Sequence, residues 1–159
     1  MPENALAHAL PSSTIWILLC PVIAGIVQHF VGKRLPRQGD WLVIGGMLAS
    51  FGFALHTFVA WLGLDAGGYF VGRWMWFELA GGVSFDFGLM VDGVTSALLM
   101  VVTIVSSLVF LFSAGYMKGD PKYPRFFFWL SFFAVAMLLL TLADNLLILF
   151  VGWELVGLC

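Results

Sequence analysis

Charge is what this sequence has least of. Only seven of its 159 residues are Lys or Arg and nine are Asp or Glu. Charged residues therefore make up 10%, where soluble domains carry about a quarter. With 62% hydrophobic residues and a mean hydropathy of +1.03, that scarcity excludes a soluble globular domain and points to an integral membrane protein. Cysteine is scarcer still. Cys20 and Cys159 lie far apart in apolar stretches, with no CxxC and no Cys/His cluster. That argues against an iron–sulfur or zinc site in this chain and lends no support to a disulfide. No GxGxxG opens a helix after a soluble strand, so a dinucleotide fold is not expected, and nothing suggests soluble catalysis or nucleic-acid binding. The first ten residues hold Glu3 but no Lys or Arg, and the apolar stretch after them has no small-x-small cleavage site. Lacking a positive leader, that stretch is expected to stay in the membrane as a span.

What is present is a series of apolar runs. Five helices are predicted, over about 15–31, 41–64, 93–116, 125–142 and 145–159. The first four have the length needed to cross a bilayer. Ser13 or Thr14 is the expected N-cap of the first, and Cys20-Pro21 predicts a slight kink in it. Fifteen residues of the fifth cover only ~22 Å of a ~30 Å core, so that helix reads as truncated.

The few basic residues set an orientation. Lys33, Arg34 and Arg37 lie between the first two helices, and Lys118, Lys122 and Arg125 between the third and fourth. Positive loops stay inside, which puts both in the cytoplasm or its equivalent. The amino terminus, the 65–92 segment with Arg73, and the 142–145 turn then face outside. Within 65–92, Val83, Phe85, Phe87 and Leu89 alternate with Ser84, Asp86, Gly88 and Met90, and Gly81-Gly82 separates them from an aromatic run beginning at Trp74. That pattern predicts a β-hairpin lying on the outer surface, in the headgroup zone or against a neighbouring subunit. The expected fold class is thus an all-α integral membrane protein of about five transmembrane helices with an outer hairpin between the second and third.

Glu154 is the leading candidate for chemistry. Ten residues into the last apolar run, it is expected ~15 Å below the membrane surface, where a carboxylate faces a partner or water, or keeps its proton. Gly152 and Gly157 flank it and allow close helix approach or a small water pocket. A packing carboxyl hydrogen-bonded to a neighbouring helix is the plainer alternative. No basic residue stands at comparable depth in another predicted span, so its counter-charge is expected from elsewhere. His56 could relay protons or simply bond a backbone carbonyl. Asp144 with Asn145 reads as the cap of the fifth helix, with a proton-gathering role for Asp144 as the alternative. Asp92 reads as the cap of the third helix. Thr103, Ser106 and Ser107 could bind water or the preceding turn.

The runs Leu142-Ala143-Asp144-Asn145-Leu146-Leu147 and Gly152-Trp153-Glu154-Leu155-Val156-Gly157-Leu158-Cys159, with Asp92-Gly93-Val94-Thr95, Tyr116-Met117 and Tyr123-Pro124-Arg125-Phe126-Phe127, resemble the antiporter-like subunit L family of NADH-quinone oxidoreductase, respiratory complex I, equivalent to mitochondrial subunit 5. The resemblance covers roughly 91–159 well and the first two helices by topology. It implies that 1–159 is the N-terminal part of one antiporter-like membrane domain of a proton-translocating translocase subunit, with no redox centre here. It also implies that Glu154 pairs with a lysine on a later helix. NADH, FMN, iron–sulfur clusters and quinone belong, on this reading, to partner subunits of the membrane arm and its attachments. The expected location is a bacterial inner membrane or an equivalent energy-coupling membrane. A multi-subunit cation/proton antiporter, a related hydrogenase or inorganic-carbon uptake complex, and a non-conducting membrane scaffold are the competing readings.

Overall fold

A computed structural model describes residues 6–34, 39–79 and 82–159. Arg37 and Gly81 lie outside them. Five helices are present: α1 Ser12–Val31, α2 Asp40–Leu62, α3 Gly93–Tyr116, α4 Tyr123–Leu142 and α5 Leu146–Leu158. The first four are long and apolar enough to cross a membrane, and α5 is a shorter apolar helix. They form a ring in which α1 touches α2 and α4, α2 touches α3, and α3 closes onto α4, while α5 lies outside against α4.

The exterior of the ring is apolar. Leu108 and Phe112 of α3 are 61% and 70% exposed, as befits helices whose solvent is lipid. Hydrophobicity cannot then drive helix onto helix, so small residues and hydroxyls must. A side chain at Gly25 would run into Ser131 of α4, and one at Gly46 would run into Ala24 and the Cys20 carbonyl of α1. Pro21 continues α1 without interrupting it. Having no N–H, it leaves the Ile17 carbonyl without its helical donor, and Ser50 of α2 donates to that carbonyl at 2.6 Å. Thr103 and Ser107 bond back to the carbonyls of Leu99 and Thr103, the second of the two roles open to them.

The span limits hold closely. α3 coincides with its predicted range, and α4 starts two residues early, at Tyr123, with Pro124 in its first turn. Asp92 caps α3, accepting from the Thr95 N–H at 2.7 Å. The caps proposed for α1 were misassigned. Its N-cap is Pro11, without a side-chain bond, and the helix begins at Ser12. Ser13 instead meets His56 Nδ1 at 3.2 Å and Thr14 meets Thr57 at 3.4 Å, both across the α1–α2 contact. A strand just ahead of α1 fixes how the chain enters the helix, which frees those hydroxyls to join the two helices.

That strand, β1 Ala7–Ala9, pairs in parallel with β2 Tyr69–Leu79, which pairs antiparallel with β3 Val83–Val91. The hairpin is therefore present, and longer than the alternating run that announced it. Phe70 faces Val91 and Trp74 faces Phe87, with Trp76 as an extra residue between the Met75 and Phe77 pairings. Gly82 turns the chain at a φ of +82°. Leu89 and Val91 are buried against the bundle. Leu89 also bridges to Ala143, so the amino-terminal strand, the hairpin and the α4–α5 turn gather at one end of the ring. The segments carrying Arg34, Lys118 and Lys122 lie at the other.

Candidate ion-translocation site

Glu154 sits on the side of α5 that faces away from the ring. Ile148 and Gly152 are the buried residues of α5, one turn apart on its α4 face. A side chain at Gly152 would press on the backbone of Leu140, so the glycine is what lets α5 lie so close. Two residues further on, Glu154 is turned by about 200° from that contact. It is exposed, and among the described residues it has no hydrogen-bond or ion-pair partner. The Gly152–Leu140 contact also sets its depth. On a helix antiparallel to α4, Glu154 stands about level with Leu138, ~6 Å inside the end of α4 and ~8 Å short of its middle. It is thus nearer the sheet end of α4 than that helix's middle, because α5 begins about 6 Å beyond the end of α4. Gly157 has open space around it, unlike Gly152.

The other candidates are not gathered around Glu154. His56 is exposed on α2, and beyond Ser13 it borders an open groove of about 420 Å³ with Ala49, Gly52 and Phe53. α5 packs chiefly on α4. Asp144 precedes α5 and belongs to a separate, polar cluster.

That cluster departs from the capping reading. Asn145 alone caps α5, accepting from the Ile148 N–H at 3.0 Å. The side chain of Asp144 is 1% exposed, and Arg73 of β2 donates from Nε to its Oδ2 at 2.6 Å. The other oxygen, Oδ1, accepts from Asn145 Nδ2 at 2.7 Å, and the same Nδ2 group reaches the Asp86 carbonyl at 3.1 Å. The Asp144 N–H points to the Gly88 carbonyl at 3.3 Å. A Cβ at position 88 would fall on the Asp144 carboxyl, so only glycine fits beneath it. The hydrogen bond and charge of Asp144, helped by Asp86, push the Arg73 guanidinium further above its already high ordinary value. It stays charged throughout. A cavity of about 320 Å³ opens here, bordered by Arg73, Ser84, Asp86, Asp144 and Leu147.

Sequence reasoning noted Arg73 as the one basic residue on the outer side but did not pair it with Asp144. Seventy-one residues separate them, and only the hairpin's fold brings them together. A buried acid at the opposite end was also missed. Asp40, 2% exposed at the start of α2, accepts from Tyr123 Oη at 3.0 Å and so ties α2 to α4. Its only signal was an acid standing at the head of an apolar run.

The family model described as NADH-Ubiquinone oxidoreductase (complex I), chain 5 N-terminus matches residues 76–127, from the hairpin into α4. It stops before α5, so Glu154 lies outside it. The chain is 36% identical over 146 residues to NADH-ubiquinone oxidoreductase chain 5 of Metridium senile, covering 91% of this chain and 24% of that protein. It is 37% identical over 146 residues to NADH-quinone oxidoreductase subunit L of Mycobacterium tuberculosis, covering 90% of this chain and 23% of that protein. Chain 5 of Dictyostelium discoideum is 37% identical over 141 residues, 88% of this chain and 20% of that protein. The chain thus spans about a quarter of the length of the curated relatives it matches. Along most of its residues, then, this chain is similar to complex I chain 5, also called subunit L, and its residues 76–127 match the model of that chain's amino-terminal region.

Proposed function

We propose that this chain forms the first part of an antiporter-like membrane domain that moves protons for NADH-quinone oxidoreductase, the redox chemistry belonging to partner subunits. The single observation that carries this reading is the exposed carboxyl of Glu154 on an otherwise apolar helix. An acid left to lipid costs a few kcal/mol, so that face of α5 is one that further helices cover. A basic group on one of them, a lysine by resemblance, would hold Glu154 ionised when close. Withdrawal of that charge would let the carboxyl take a proton, and the exchange of the two states is a unit of proton transfer. On this reading the chain itself positions the acid, through Gly152 against α4 and the cap at Asn145. NADH, flavin, iron–sulfur clusters and quinone would act in other subunits of the membrane arm and its attachments. The basic loops would face the cytoplasm, or its equivalent, of an energy-coupling membrane. The relatives named above are all complex I subunits, which favours this reading over a separate cation/proton antiporter.

Glu154→Gln in the full-length protein tests it. Removing a proton-transfer group slows transfer by about a hundredfold or more, so proton pumping per NADH oxidised is expected to fall. An unchanged ratio overturns the proposal. Full ion movement with Glu154→Leu would leave a scaffold instead.

A further inference from the structure

The polar cavity at the head of α5 stands directly above Glu154. Leu147 borders it, and Glu154 lies seven residues further along, about 10 Å deeper on nearly the same face of the helix. Between them that face carries Phe150 and Val151 and no polar side chain. The cavity is the polar recess on this line, and its buried acid is a ready acceptor for protons arriving from the outer surface. Yet both oxygens of Asp144 already receive donors, Arg73 on one and Asn145 on the other. A carboxylate so engaged is held as the counter-ion of Arg73. The Arg73 side chain is 64% exposed and sits over the 1% exposed carboxyl as its lid.

We propose that Arg73 is the outer stopper of this path: its guanidinium occupies Asp144, repels incoming cations, and keeps outer protons from reaching the face of α5 that bears Glu154. The inference rests on the proton-transfer reading of Glu154. A fixed arginine at a pore constriction excludes protons and cations by its charge. Here the device comes from the hairpin and not from the bundle, so its grip depends on β2 and β3 staying docked on the α4–α5 turn. Gly88 and the Asp144-to-Gly88 backbone bond hold that docking.

The test uses the full-length protein in its membrane complex, reconstituted in vesicles with a pH-sensitive dye inside and no NADH. Arg73→Gln keeps a hydrogen-bond donor but removes the charge. Passive proton entry after an external acid pulse is expected to rise about tenfold, the effect of an electrostatic barrier lowered by roughly 1.4 kcal/mol. Arg73→Lys, which keeps the charge, is expected to hold the gradient as the unsubstituted protein does. Adding Glu154→Gln to Arg73→Gln is expected to abolish the leak. Vesicles with Arg73→Gln that stay tight overturn the proposal, as does a leak that persists without Glu154. That second result leaves the pumping role of Glu154, measured separately with NADH, untouched. Should Arg73→Gln fail to assemble, Arg73→Met, which keeps the length of the side chain and leaves Asp144 in place, reads the same path. A tight gradient there overturns the stopper as well.

Discussion

At the scale of single residues, close approach between elements depends on side chains that are absent. Gly88 is the sharpest case, because the Asp144 carboxyl occupies the space of any side chain there. Gly88→Ala is expected to cost about 1–3 kcal/mol through overpacking and to loosen the hairpin from the α4–α5 turn. Thermal unfolding in detergent measures it. Gly115→Ala is the control, since nothing lies within 4 Å of its would-be Cβ, and a helical alanine is expected to be neutral or to gain up to about 1 kcal/mol. Equal effects at the two sites would refute the fit described for Gly88. Glu154 was legible from sequence as a lone acid in an apolar run, whereas the Arg73–Asp144 pair was not. Their meeting depends on strand register, which no local pattern announces.

Among elements, the joining of α1 to α2 turns on a lost helical bond. Pro21 leaves the Ile17 carbonyl open, and Ser50 closes it from the neighbouring helix. Ser50→Ala is expected to cost about 1–3 kcal/mol, the penalty of a buried acceptor left unmet. In a Pro21→Ala background, residue 21 regains its N–H and the carbonyl its helical donor, so the same Ser50 change is expected to cost clearly less. Equal costs in the two backgrounds, read by a double-mutant cycle, would show that the hydroxyl does not answer the proline. The five helices were readable because length and hydropathy are summed over some twenty residues. The helix starts were less so. Ser13 and Thr14 carry a capping signature, but β1 sets where α1 begins and turns both hydroxyls toward α2. Ala7–Ala9 itself is too short and too plain to signal a strand, and it exists only because β2 offers it an edge.

For the whole molecule, the arrangement puts one sheet at one end and the basic segments at the other. A cysteine replacing Glu78 in the hairpin and another replacing Lys118 between α3 and α4, in a background with Cys20 and Cys159 changed to Ser, are expected to react with an impermeant maleimide from opposite faces of sealed vesicles. Reaction of both from one face would break the alternating topology that the basic loops predict. The ring of four helices could not be read from sequence. Their apolar surfaces look alike all round, and only the positions of glycine and serine distinguish a neighbour from lipid.

The parallel pairing of β1 with β2 carries a consequence for biogenesis. On the topology that the basic loops predict, the two strands reach the same side of the bilayer, with α1 and α2 threaded between them in synthesis. The first must wait there, unmatched, until the second emerges, and a closure this distant in sequence is slow compared with the hairpin's own. Completion of the three-stranded sheet therefore reports that both of the opening spans have crossed. A chain in which only one of the first two helices had crossed would leave Ala7–Ala9 on the opposite side from β2, with nothing to join.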